Sequence, residues 1–373
     1  MIIDNALLKY DEESVFKLRS LYKEFGYSRY KMSKFEEYDL YVKNKDFLIS
    51  DSVITFTDTR GKLLALKPDV TLSIINNCKD IDGQVQKVYY DEKVYRVSGS
   101  SHNYKEIMQS GLECIGDIGL YDVCEVLLLA INSLQIIDED YVLSVSHIGL
   151  LKSILDDLHI EDSKKETIIN LICAKNSDDL AVYVKENGYD FKTFEALNIF
   201  TLSFSSYAQA IDALGTIEKG EESQKAFDEF VRILKVIKSR GFEDKTVIDF
   251  SSVSGMKYYS GIVFKGYING IPESVCSGGQ YDKLMKKMGR TSSAIGFAVY
   301  LDALERFKEN ENEFDVDVVL LENDSIDAVF DAVNMLSANG QTVRVCKNVP
   351  DNIRYKRVVR LSGKVLVTVY END

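Results

Sequence analysis

Two residue patterns in this chain are able to shape a small-molecule site. The first is the segment Lys105 to Ile115. Alternate side chains of a strand share a face, so Gln109, Gly111 and Glu113 point one way and Met108, Leu112 and Cys114 the other. A glycine between an amide and a carboxylate leaves room for a ligand, although an ordinary solvent-exposed sheet face accounts for the same residues. The second pattern is Lys257-Tyr258-Tyr259-Ser260-Gly261 followed by Ser277-Gly278-Gly279-Gln280-Tyr281-Asp282. Tyr258 and Tyr259 also read as half-buried strand aromatics. Covalent catalysis has little to work with. The histidines are His102, His147 and His159, none in a Ser/His/Asp or Cys/His setting, and the last two read as satisfied structural residues. Gly111, Gly116 and Gly119 have the wrong spacing for a dinucleotide loop, and Gly278-Gly279 precedes no phosphate-binding lysine. Cys78, Cys114, Cys124, Cys173, Cys276 and Cys346 show no CxxC spacing, so neither a zinc knuckle nor a redox pair is indicated. No cofactor and no metal are expected.

The elements that must position these residues follow from periodicity. Val15, Leu18, Tyr22 and Phe25 recur at helical spacing, with Gly26 as the C-terminal cap. Ser52 to Thr57 and Lys62 to Leu66 read as a hairpin about Asp58-Thr59-Arg60-Gly61. Pro68-Asp69 opens a helix through Asn77, with Asp69 placed to cap it. Gln86 to Ile115 reads as two antiparallel strands divided by the polar loop Ser98 to Asn103. Between about Ile148 and Arg240 the pattern is amphipathic and helical, without a comparable strand signal. Strand-like sequence returns from Thr246 to Val275, and Gly296 to Phe307 reads as a closing helix. A small α/β module follows: strand Val316 to Leu321, helix Ser325 to Ala338, strand Thr342 to Cys346 and strand Lys364 to Tyr370.

A chain of 373 residues with 45% apolar and 11% aromatic content can bury at least one large core. Its formal charge of -14 opposes a polyanionic partner unless basic residues cluster, because nucleic-acid binding rests largely on phosphate neutralisation. From Glu313 onward ten acidic side chains outnumber seven basic ones, whereas a tRNA-reading surface is normally basic. Met1 to Glu13 has no secretory pattern and no later stretch approaches a membrane span, so a cytoplasmic location without membrane attachment is expected.

Five segments, in order and at approximately matching spacing, resemble histidyl-tRNA synthetases. They are Ala65-Leu66-Lys67-Pro68-Asp69-Val70-Thr71, Val94-Tyr95-Arg96 through Gln109-Ser110-Gly111-Leu112-Glu113, Gly255-Met256-Lys257-Tyr258-Tyr259-Ser260-Gly261, Gly278-Gly279-Gln280-Tyr281-Asp282 and Gly296-Phe297-Ala298. Together they cover most of residues 5 to 307. The resemblance implies an α+β, class II synthetase-like antiparallel sheet flanked by helices, usually dimeric. It implies a core over residues 1–310, with a helical connection or insertion at roughly 150–242, and a truncated α/β module over 311–373. It also implies a histidine-like pocket formed by Asp69, Thr71, Arg96, Gln109, Glu113, Tyr258 and Tyr259. In that family the position of Asp69 is a glutamate that holds the α-amino group.

Departures from the family pattern are equally informative. The synthetase arginine before the Gly-Leu-Asp-Tyr-Tyr pattern falls on Ser254 and its aspartate on Lys257, while the arginine of the last motif falls on Ala303. Ser98 and Ser33 replace a glutamate and a proline, and the loop after Arg96 is one residue short. Adenylation needs preorganised positive groups at developing phosphate charge, so these losses argue against ATP activation. This combination resembles the regulatory subunits of ATP phosphoribosyltransferase. That resemblance implies a non-catalytic chain that joins a short catalytic subunit in a hetero-octamer, and it implies feedback control by histidine. The alternatives are a divergent histidyl-tRNA synthetase and a free-standing histidine-sensing paralogue.

Overall fold

A computed structural model describes residues 10–48, 53–81, 83–97, 103–253, 258–302, 304, 314–363 and 365–372. Ser98, His102, Ser254, Lys257, Ala303 and most of the loop from Ser98 to Asn103 lie outside them. The chain divides into two compact units, Met1–Arg306 and Phe307–Asp373.

The first unit begins with helix α1 (Tyr10–Glu24), whose Val15, Leu18 and Tyr22 are buried while Phe25 beyond it is 39% exposed. Gly26 ends the helix at φ 80°, a left-handed conformation that costs glycine little. Strands β1 (Ser28–Arg29), β2 (Phe35–Glu37), β3 (Thr55–Thr57) and β4 (Leu63–Leu66) follow, with helix α2 (Tyr38–Val42) after β2. The expected hairpin is β3 and β4, antiparallel, and β2 completes a small sheet in the order β2-β4-β3. Helix α3 (Thr71–Asn77) starts where Asp69 accepts the Leu72 N–H at 2.8 Å.

Strands β5 (Val85–Val97) and β6 (Tyr104–Gly116) pair antiparallel over their whole length, from Val85 opposite Gly116 to Val97 opposite Tyr104. They lead into helix α4 (Leu120–Ile137) and strand β7 (Tyr141–His147). The segment expected to be helical contains α5 (Ile148–Asp157), α6 (Asp162–Cys173), α7 (Ser177–Glu186), α8 (Phe191–Asn198), α9 (Tyr207–Gly215) and α10 (Glu221–Ser239). It also holds a two-residue strand, β8 (Ser203–Phe204), too short to leave a period in sequence. Strands β9 (Thr246–Asp249), β10 (Ile262–Ile268), β11 (Cys276–Gln280) and β12 (Ser293–Tyr300), with helix α11 (Asp282–Lys287) between the last two, complete a nine-stranded sheet. Its order is β1-β5-β6-β12-β11-β10-β7-β9-β8. The sheet is mixed rather than wholly antiparallel, because β1 runs parallel to β5 and β7 parallel to β9.

Two expectations need correction here. Gly296 to Tyr300 is strand, not the start of a helix. In Ala294 to Val299 almost every residue is buried on both faces, and such a strand reads as a continuous apolar run like a core helix. Helix α4 is apolar enough over its 18 residues to cross a membrane by length and composition, contrary to the expectation that no stretch approaches a span. Its buried side chains, among them Val126, Leu127, Leu129, Ala130, Ile131 and Leu134, instead make it a central helix of this unit's core.

The second unit has strands β13 (Val316–Leu321), β14 (Val343–Cys346), β15 (Tyr355–Ser362) and β16 (Val365–Glu371), in the order β14-β13-β15-β16, and helix α12 (Ile326–Ala338). Val329, Ala332 and Leu336 of α12 pack on Val318, Leu320, Val359 and Leu361. Sequence periodicity missed β15. Its basic residues Lys356, Arg357 and Arg360 and a register shift between Val358 and Val359 interrupt the alternation.

Candidate functional site

Strands β6, β12, β11 and β10 present one face to a cavity of about 680 Å³. All of the residues expected to form a pocket line it: Asp69, Thr71, Arg96, Gln109, Glu113, Tyr258 and Tyr259. The β6 residues are buried here, so the alternative of an exposed sheet face does not hold.

Glu113 lies at the floor, 2% exposed. Thr71 donates its hydroxyl to one carboxylate oxygen at 2.6 Å and Tyr281 donates to the other. Burial pushes its pKa up to about 8, opposed by both hydroxyls and reinforced by the nearby Asp69 charge. Room for this carboxylate comes from Gly296, directly opposite on β12, where an added Cβ would lie 1.7 Å from the Glu113 oxygen and 2.6 Å from the Leu112 carbonyl. Gly296→Ala is therefore expected to displace Glu113 and lower stability by about 1–3 kcal/mol, the usual cost of overpacking. A thermal melt compared with wild type checks this; equal melting temperatures would show that the floor yields without cost.

Asp69 sits on the cavity wall. Burial raises its pKa against the Leu72 N–H and the Arg96 charge. Arg96 donates Nε to the Pro68 carbonyl at 3.1 Å. Gln109 is 3% exposed, lines the cavity and stands opposite Tyr300 across β6 and β12. An amide at this position can donate to and accept from a polar ligand. Tyr258 and Tyr259 stack at 4.4 Å between ring centres, and Phe47 meets the edge of Tyr258 at 5.6 Å. Burial raises both tyrosine hydroxyls above their ordinary range, which keeps them neutral donors and acceptors.

Other residues of the glycine-rich motifs brace the floor. The Gln280 side chain occupies the space beside Gly261, where an added Cβ would meet its oxygen at 1.9 Å, and it accepts the Ile262 N–H at 2.8 Å. Asp282 accepts from the Ser260 hydroxyl at 3.1 Å and from the Ala294 N–H at 3.0 Å. The sequence reading of the pocket missed Tyr90, Lys265, Ser277, Tyr281 and Tyr300, which also line the cavity. Tyr281 stands in a quoted motif, but its contact with Glu113 joins residues 168 apart.

His147 and His159 do not line the cavity. His147 caps α5, accepting the Leu150 N–H on Nδ1 at 2.9 Å. Its Nε2 has no partner among the described residues, so it is satisfied there on one nitrogen rather than both, and burial lowers its pKa to about 4. Among the described residues no cluster of three or more potential metal ligands occurs.

A family model described as Histidyl-tRNA synthetase matches residues 5–304. The chain belongs to this family. Within it, a chain from Bacillus cereus named ATP phosphoribosyltransferase regulatory subunit is 26% identical, with 97% of this chain and 90% of that protein aligned. The crystal structure of an ATP phosphoribosyltransferase regulatory subunit/histidyl-tRNA synthetase from Bacillus halodurans superposes with TM-score 0.76 at 23% identity, covering 95% of this chain and 94% of the other. An ATP phosphoribosyl transferase (HisG:HisZ) complex from Thermotoga maritima contains a chain that superposes with TM-score 0.61 at 21% identity, covering 79% and 97%. At these identities the structural matches establish a synthetase-like fold, and a fold alone does not assign chemistry.

Proposed function

We propose that this chain is the regulatory subunit of an ATP phosphoribosyltransferase, the first enzyme of histidine biosynthesis. It activates a short catalytic subunit and carries the feedback response to histidine. The observation that carries this reading is that relatives aligned over nearly the whole chain bear that name. The fold match to a chain of the HisG:HisZ complex supports a catalytic partner, and the cavity supports an amino-acid ligand. Histidine fits the donor set: the Glu113 carboxylate accepts a ring N–H, Asp69 receives the amino group, and the tyrosine rings enclose the imidazole.

In this reading the chain is not itself an enzyme. Ser254 and Ala303 stand where the synthetase resemblance places arginines, so the charge that develops during adenylation lacks its counter-charges. It takes no tRNA, pairs with a second copy of itself through the class II-like core, works in the cytoplasm and enters a hetero-octamer with the catalytic subunit. Size exclusion of the chain mixed with a short-form catalytic subunit tests the assembly, and a shared elution peak at micromolar concentration is the expected result. Histidine-dependent pyrophosphate exchange should not exceed the no-enzyme background. Exchange above background, together with tRNA charging, would establish a divergent synthetase instead.

A further inference from the structure

Lys265 brings a positive charge to the cavity and makes no ion pair among the described residues. It lies on β10 opposite Ser277 of β11, lines the cavity and is half-buried. Among the described residues its ammonium makes no hydrogen bond or ion pair, and the one ionisable group acting on it electrostatically is the Cys173 thiol. Desolvating a lysine without a partner costs free energy, and an anion delivered by a ligand relieves that cost. The other cavity cation is differently placed. Arg96 is engaged by the Pro68 carbonyl and acts electrostatically on Asp69.

Beside Lys265, the Ser277 and Tyr300 hydroxyls share a hydrogen bond at 2.7 Å, so two further polar groups line the same end. Glu273 and Asp302 also line the cavity. The Glu273 carboxylate opposes a polyphosphate and leaves a single negative charge as the better match. From Glu113 the cross-strand path runs through Gly296 and Gly279 to Val263, and Lys265 is two residues farther along β10. Strand spacing puts the two Cα atoms about 16 Å apart, a span that a glutamate side chain, a lysine side chain and one amino acid between them can bridge.

We infer that Lys265 receives the carboxylate of the cavity's ligand, so that an amino acid lies across the sheet with its ring at Glu113 and its carboxylate at β10. This orientation rests on the histidine reading above. It makes Lys265 the residue that separates an amino acid from the corresponding amine.

The test compares histidine with histamine, which lacks the carboxylate, by calorimetry on the full chain and on Lys265→Met and Lys265→Arg. Wild type should prefer histidine by tenfold or more. Lys265→Met should lose that preference through weaker histidine binding, with histamine affinity unchanged and thermal melting similar, while Lys265→Arg should restore much of it. An undiminished preference in Lys265→Met, with wild type binding histidine, would overturn the assignment of Lys265 alone. Failure of wild type to bind histidine would overturn the histidine reading and this orientation with it.

Discussion

Addition of this chain to a short-form ATP phosphoribosyltransferase catalytic subunit is expected to raise phosphoribosyl transfer by roughly five- to a hundredfold, with histidine reversing the gain. The physical requirement is modest. If the catalytic subunit alternates between competent and incompetent arrangements, a partner that binds the competent one more tightly by about 1–3 kcal/mol produces that range. Histidine reverses the effect by binding more tightly to the arrangement in which coupling is lost. A class II-like core paired about a two-fold axis presents each docking surface twice, so symmetry alone lets one regulatory pair organise several catalytic subunits. Steady-state rates measured while the chain is titrated in, with and without histidine, check both halves. Co-elution with no change in rate would leave a scaffold, and no co-elution would favour a free-standing sensor.

At pH 8.5, above its raised pKa of about 8, replacing Glu113 by glutamine is expected to weaken histidine binding by roughly ten- to a hundredfold, the effect of losing a charged hydrogen-bond partner of about 1.5–3 kcal/mol. The same substitution should act in the opposite direction on stability at high pH. An exposed glutamate titrates near 4.3, whereas burial moves Glu113 to about 8. The folded state therefore binds the extra proton between these values. The stability associated with that proton is complete below about pH 4.3 and is lost as pH rises through about 8. At roughly 1.4 kcal/mol per unit the loss amounts to a few kcal/mol. Glu113→Gln cannot ionise, so its melting temperature relative to wild type should rise between pH 5 and pH 8.5. Parallel melting profiles across that range would show that Glu113 is already ionised in the free protein. Calorimetry at a fixed pH, run alongside, separates the binding loss from the stability gain.

Much of the site was legible because its residues fall in short segments with distinctive chemistry. Gln109 and Glu113 share a strand face through simple alternation, and Asp69 precedes α3 where its carboxylate meets the Leu72 N–H. What stayed hidden depends on which strands become neighbours. Lys265 reads in sequence as one polar residue in an apolar strand, and only the order β12-β11-β10 turns it toward the same cavity as Glu113. Tyr300 was hidden for a related reason. Its strand is largely apolar and was read as helix from Gly296 onward, and its position opposite Gln109 belongs to sheet register, which no local window contains. The basic residues of β15 obscured a strand whose buried Val358 and Val359 reveal themselves only once β13 and β16 flank it.

The bracing by Gln280 and Asp282 shows how a motif can serve the fold rather than a reaction. Neither side chain needs a substrate: Gln280 holds Ile262 and fills the space beside Gly261, while Asp282 ties Ser260 to Ala294. The sheet needs such residues in order to fold, whatever the cavity holds. The brace positions therefore answer to the architecture, and any chain that builds this sheet needs them whether or not it activates an amino acid. A motif match built on the braces identifies the scaffold, and the occupant has to be read from the charges of the cavity.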